Sequence, residues 1–110
     1  MNHTLTDHEN AIVVAFTGDV DLETSPSARE VLLGLVARGQ AILIDLSAVN
    51  YIDSSGVASL VEALQETRKA GSTLALVAVS EAALRVLKLA RLDTVFAIHT
   101  TVEEGLAAVG

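Results

Sequence analysis

The hydrophobic pattern of this chain changes repeatedly between short continuous apolar runs and segments with apolar residues at helical spacing. The short runs predict strands buried on both faces, and the helical spacing predicts helices with one face toward a core. Five strands are predicted: a short edge strand around His3 to Thr6, then Ala11–Thr17, Ala41–Ile44, Thr73–Val79 and Val95–Ile98. Four helices are predicted: one from Ser25-Pro26 to Gly39, one from the corner at Asp53 to Lys69, and then Glu81–Leu89 and Thr101–Ala108.

Residues typical of helix ends support these boundaries. Ser25 is the predicted N-cap of the first helix and Pro26 its first helical residue, while Gly39 closes it. Thr101 and Glu104 form a capping-box pattern at the start of the last helix.

The predicted order, β-β-α-β-α-β-α-β-α, defines an α/β fold in one domain that spans residues 1–110. Strands that alternate with helices imply crossover connections. We therefore expect a mixed, mostly parallel sheet of about five strands with about four helices, in which the first hairpin adds an antiparallel edge. Such sheets place their sites at the carboxyl ends of the strands. Two polar corners follow strands, Gly18–Asp21 and Asp53–Gly56, and both are expected at that end.

Composition narrows the possible partners. The net charge of −7 argues against nucleic acid and anionic membranes, because both require a basic patch. Cysteine is absent, which excludes disulfide and thiolate chemistry. The N-terminus lacks the pattern of a signal peptide, and no apolar run approaches the ~18 residues of a membrane span. We expect a cytoplasmic domain without membrane insertion. His3 and His8 are not accompanied by the ligands of a metal site, and none is predicted.

The first polar corner contains two carboxylates in alternation. Asp19 and Asp21 share a face if the segment is extended, because side chains two residues apart point the same way. A solvated turn accounts for the pattern. A pair of carboxylates for acid–base catalysis is the alternative, but it requires environments that separate the two pKa values.

The second polar corner, Asp53-Ser54-Ser55-Gly56, lies where a helix begins. Unpaired N–H groups and the helix dipole favour hydroxyls and anions there, so Ser54 is a predicted N-cap worth ~1 kcal/mol. A hydrolase nucleophile elbow would need a glycine where Ile52 stands. A phosphate-binding loop would need further glycines and a lysine. A phosphoaspartate receiver would want a lysine after the last strand but one, where Ser80 stands.

Three segments together resemble the STAS domain family, in particular the bacterial anti-sigma factor antagonists. Phe16–Asp21 is similar to the family's acidic segment after its core strand, with Asp19 where many members have glutamate. Ile44–Gly56 is similar to its strand and D-S-[S/T]-G corner, and Leu87–Phe96 to its last helix-to-strand passage. The resemblance covers the whole chain.

The resemblance implies a function in partner switching. An unphosphorylated antagonist binds an anti-sigma factor that is a GHKL-type serine kinase, and a sigma factor is freed. The kinase then phosphorylates the antagonist, and a PP2C-like phosphatase reverses this. The implied acceptor is Ser54. The implied partner-binding residues are Asp19, Asp21, Asp53, Ser55 and Gly56.

The same resemblance implies that the chain is not an enzyme and needs no cofactor, and that it is a monomer or weak dimer. One alternative shares the fold. Some STAS domains are structural subunits of lipid- or anion-transport assemblies and have no phosphorylation cycle.

Overall fold

A five-stranded sheet forms the centre of the molecule, and a computed structural model describes residues 1–109 of the chain. The predicted order of elements is confirmed. The strands are β1 (Asn2–Asp7), β2 (Ala11–Val20), β3 (Ala41–Ile52), β4 (Leu74–Val77) and β5 (Ala97–His99). The helices are α1 (Ser25–Val36), α2 (Ser54–Lys69), α3 (Glu81–Leu89) and α4 (Val102–Val109).

The strands lie side by side in sequence order, β1-β2-β3-β4-β5. β1 is antiparallel to β2, and the other three pairings are parallel. The predicted mostly parallel sheet with an antiparallel edge is therefore confirmed. The carboxyl ends of the four parallel strands lie at one edge of the sheet, where the two polar corners are found.

The two faces of the sheet are covered unequally. α1, α2 and α3 cover one face, and their buried leucines and alanines pack against Ile12, Ile42 and Ile44. α4 lies on the other face, where its apolar side chains pack against Leu43 and Val77. β3 is thus covered on both sides, as its continuous apolar run predicts. None of the four helices in the part of the chain described here is long and apolar enough to cross a membrane.

Several boundaries differ from the predictions. β2 and β3 extend to Val20 and Ile52, because parallel pairing continues through their polar residues, with two register shifts on the way. The last strand begins at Ala97 rather than Val95. The N–H groups of Val95 and Phe96 instead bond to the carbonyl of Leu92, which makes a turn there.

The predicted caps are partly wrong. Ser25 is already helical and Thr24 occupies the N-cap position of α1, because the N–H of Ser25 bonds to the carbonyl of Asp21 at 2.7 Å. The helix ends at Val36, and the turn that follows is completed by Gly39, whose φ is +78°. At α4, Thr101 Oγ1 accepts from the N–H of Glu104 as predicted.

Candidate functional site

The ends of β2 and β3 bring the two polar corners together. Val20 pairs with Ile52 in the last step of the parallel ladder, and the N–H of Asp53 bonds to the carbonyl of Val20 at 3.2 Å. The expectation that both corners lie at the same end of the sheet is confirmed.

The carboxylate of Asp53 joins the two corners. Its Oδ1 accepts from the N–H groups of Ser55 at 2.9 Å and Gly56 at 3.1 Å, and its Oδ2 accepts from the N–H of Leu22 at 3.1 Å. Asp53 is therefore the N-cap of α2, and the prediction that Ser54 caps this helix is wrong. The reason is that Asp53 is the last residue with extended backbone, whereas Ser54 is the first helical residue.

Gly56 allows the start of α2 to approach β2 closely. A Cβ atom at this position would lie 2.6 Å from the carbonyl oxygen of Val20 and 2.7 Å from Cγ1 of Ile52. Glycine is therefore required by steric exclusion, and Gly56 is itself buried.

The carboxylate of Asp21 holds the turn that leads into α1. Its Oδ1 accepts from the N–H groups of Glu23 at 3.0 Å and Thr24 at 3.1 Å, and lies 3.1 Å from the Thr24 hydroxyl. The N–H of Thr24 is the main reason that the pKa of Asp21 is below its ordinary value. Asp19 is an exposed residue of β2. The carboxylate of Asp21 is thus used within the turn, which favours the turn interpretation over a catalytic pair.

The two serines of the corner differ in exposure. Ser54 is exposed in the first turn of α2, and no hydrogen bond holds its hydroxyl within the described residues. Ser55 is half-buried. A macromolecule that approaches the corner therefore meets the Ser54 hydroxyl more readily than that of Ser55.

Ser54 lies at one end of an apolar groove of about 570 Å³ between α2 and α3. The groove is lined by Ser54, Val57, Ala58, Val61, Glu62, Gln65, Val86, Leu89 and Ala90. Leu89 is 81% exposed. The carboxylate of Glu62 is paired with Arg29 of α1 at 2.7 Å, and this pairing lowers the pKa of Glu62. The groove therefore presents a mainly aliphatic surface beside the serine.

Sequence reasoning missed two apolar residues near the corner. Leu22 is 74% exposed between the acidic Asp21 and Glu23. Tyr51 is 52% exposed and pairs with Asp19 across β2 and β3. For Leu22 the sequence signal was an apolar residue between two acidic ones, whereas Tyr51 lies in β3 without such a signal. Both side chains add exposed apolar surface near the polar corner.

No metal site is predicted at His3 and His8 from the sequence. His3 lies in β1, with its ring centroid 6.3 Å from that of Phe16. In the part of the chain that the structure describes, no group of three or more potential metal ligands is close enough to hold an ion.

The corrected cap gives a stability prediction. We expect Asp53→Ala to lower the free energy of unfolding by about 1–2 kcal/mol, because it removes the N-cap of α2. Ser54→Ala should stay within ~0.5 kcal/mol of the parent, since the exposed hydroxyl makes no contact that folding needs. Urea denaturation of both variants measures this. A larger loss for Ser54→Ala than for Asp53→Ala would restore the capping role to Ser54.

The fold and the site define an α/β domain with an exposed serine between an acidic strand-to-helix corner and an apolar groove. This chain belongs to the STAS domain family, whose family model matches residues 2–105.

Relatives and solved structures with this fold include several antagonists. The chain is 30% identical over 106 residues to the anti-sigma-B factor antagonist of Bacillus subtilis (strain 168), covering 96% of this chain and 97% of the relative. A crystal structure of an anti-sigma factor antagonist from Mycobacterium paratuberculosis is 30% identical, with a TM-score of 0.90 over 98% of this chain and 92% of that one. The Bacillus cell fate determinant SpoIIAA in its phosphorylated form has the same fold, with a TM-score of 0.76 at 19% identity, covering 99% of this chain and 100% of that one.

Proposed function

We propose that this chain is an anti-sigma factor antagonist that works by partner switching. In its unphosphorylated form it binds an anti-sigma factor that is a GHKL-type serine kinase, and a sigma factor is released. Phosphorylation of Ser54 ends this binding, and a PP2C-like phosphatase restores it. The chain acts in the cytoplasm, where sigma factors act. The observation that carries this proposal is the exposed Ser54 hydroxyl at the end of the apolar groove.

Relatedness supports the antagonist over a transport subunit. The Bacillus subtilis relative is an anti-sigma-B factor antagonist, and it aligns with 96% of this chain. The D-S-S-G corner is present in full, and its first serine is the more exposed of the two.

The surroundings of Ser54 explain why phosphorylation would disrupt a complex. Phosphate adds about −1.5 to −2 charge at neutral pH, and here it would be added beside the carboxylate of Asp53. No ion pair within residues 1–109 involves Asp53, Asp19 or Asp21. A partner surface that accepts a neutral hydroxyl and aliphatic groove would have to bury a dianion instead. Desolvation and like-charge costs of several kcal/mol are typical for such a mismatch.

The domain itself should tolerate the phosphate. Ser54 is exposed, so the phosphate can remain in water, and its position in the first turn of α2 places it at the favourable end of the helix dipole. The hydrogen bonds that cap α2 are accepted by the carboxylate of Asp53 and do not use the Ser54 hydroxyl. Phosphorylation would therefore act at the surface, without unfolding the corner.

The other residues of the partner surface would contribute either by direct contact or by holding the two corners in place. These residues are Asp19, Asp21, Asp53, Ser55 and Gly56. The exposed carboxylate of Asp19 is available for direct contact. Asp21, Asp53 and Gly56 would act by holding the two corners in place, since their polar groups or close contacts are used within the domain. Ser55 is half-buried beside the acceptor.

Incubation with the GHKL-type kinase from the same genome and Mg-ATP tests the proposal. We expect one phosphate per chain, mapped to Ser54 by tandem mass spectrometry, and none on a Ser54→Ala variant. Ser55→Ala is the matched control and should accept phosphate on Ser54. Phosphate on Ser55 alone would contradict the assignment of the acceptor. No phosphate on any residue, with no complex formed, would contradict the proposed function.

A further inference from the structure

The cationic side chains of this acidic protein are concentrated beside the apolar groove. Of its seven lysines and arginines, three lie on α3 or directly after it: Arg85, Lys88 and Arg91. The segment from Glu81 to Asp93 contains two carboxylates, which are those of its first and last residues. The rest of the chain is left with four cations and twelve carboxylates. The surface at α3 thus has the opposite charge to the remainder of the molecule.

The α3 cations have no acidic partners within the domain. Of the four other cations, Arg29, Arg38 and Lys69 each form an ion pair with a carboxylate, whereas Arg68 forms none within residues 1–109. Arg85, Lys88 and Arg91 are exposed, and no acidic side chain in residues 1–109 lies within 4 Å of them. Their charges are therefore available to a partner.

These cations are continuous with the groove that begins at Ser54. Leu89 lines the groove, and it also lines a second depression of about 350 Å³ on α3 together with Glu81, Leu84, Arg85 and Lys88. A surface contact can therefore run without interruption from Ser54, across the aliphatic groove and Leu89, to the cations. The exposed carboxylates of Asp19 and Glu23 lie at the corner between β2 and α1, which the Asp53 carboxylate joins to the start of α2.

We propose that α3 forms the second half of the partner surface and binds an acidic, amphipathic segment of the anti-sigma factor. Apolar side chains of that segment would cover Leu89 and the groove, and its carboxylates would face Arg85 and Lys88. The reversal of charge between the acidic corner and α3 fixes the orientation of the complex, because a partner docked the other way would bring like charges together. This inference rests on the proposed function and adds the chemistry of the partner surface.

A double charge reversal tests the inference. Arg85→Glu with Lys88→Glu is expected to weaken binding of the anti-sigma factor kinase by at least about thirtyfold at low ionic strength, and the loss should shrink as salt screens the charges. The matched control is Arg68→Glu with Lys69→Glu at the end of α2, which changes the net charge equally and should alter binding by less than about threefold. Equal losses for both pairs, or no loss for either, would overturn the inference.

Two further variants separate the possible failures. Leu89→Ser should weaken binding by about tenfold with an unchanged melting curve, since this side chain is 81% exposed. Ser54→Asp is measured in the same assay. If Ser54→Asp binds poorly while the α3 reversal binds like the parent, only the inference about α3 fails. If both variants bind like the parent, the proposed function fails as well.

Vesicles of phosphatidylglycerol and phosphatidylcholine test a lipid surface as the occupant. Vesicle binding that the α3 reversal abolishes, with kinase binding intact, would overturn the proposal.

Discussion

Gly56→Ala is expected to lower the free energy of unfolding by about 3 kcal/mol, at the upper end of the usual range for an overpacked core. The added Cβ would lie 2.6 Å from the carbonyl oxygen of Val20, and this backbone atom is fixed by the parallel pairing of β2 with β3. This steric clash could be relieved only if α2 moved away from the sheet. Such a movement would also stretch the hydrogen bonds from Ser55 and Leu22 to Asp53.

Gly34→Ala is the control for Gly56→Ala. Gly34 is exposed in the interior of α1, and a Cβ atom there would have no neighbour within 4 Å. Alanine should therefore stabilise the domain by about 0.5–1 kcal/mol through its higher helix propensity. Urea denaturation of both variants gives the comparison. A Gly56→Ala variant as stable as Gly34→Ala would show that α2 does not approach β2 so closely.

Ser54→Asp is expected to reduce binding of the anti-sigma factor kinase roughly hundredfold, which corresponds to about 2.7 kcal/mol. The reason is that a carboxylate is placed where a partner would meet a neutral hydroxyl and an aliphatic groove. The fold should be unaffected, because a negative charge in the first turn of α2 interacts favourably with the helix dipole. Ser54→Ala keeps the corner neutral, so it should bind as tightly as the parent and stay bound.

Ser27→Asp is the matched control for Ser54→Asp. Ser27 is also exposed in the first turn of a helix, but it lies on α1 beside β1, in a different depression from Ser54. The same added charge there should change binding by less than about threefold. Calorimetric titration of the kinase with the three variants measures this. Equal affinities for Ser54→Asp and Ser54→Ala would mean that charge at the corner does not control the complex.

The sequence was sufficient for the order of elements because all of them except β1 carry a clear apolar pattern. In β1 all six residues are exposed, and Leu5 is the only apolar one. It was insufficient for strand ends, which depend on pairing between strands. Residues 47–52 of β3 are mostly polar or exposed, and they are extended because β2 lies alongside them up to Val20. Two predicted N-cap residues were wrong for a similar reason. Asp53 and Ser54 are both good N-cap residues, and only the backbone conformation shows which of them precedes the helix.

The site was predictable only where its residues are neighbours in sequence. The D-S-S-G corner and the acidic segment were found in this way, and both lie at the expected end of the sheet. The groove combines Val57 and Val61 of α2 with Leu89 of α3, and no local pattern links these helices. The sequence did contain one indication of the groove, because α2 has more apolar residues than one buried face requires. Leu60 and Leu64 are buried, whereas Val61 is only half-buried and faces the groove.

The most direct test of the partner switch is the affinity of the kinase for this chain before and after phosphorylation of Ser54. The protein would be phosphorylated to completion with the GHKL-type kinase and Mg-ATP, purified from it, and titrated calorimetrically against fresh kinase alongside the unmodified chain. We predict that phosphorylation weakens binding by about a hundredfold or more while the melting curve stays close to that of the unmodified protein. Equal affinities for the two forms would contradict the account.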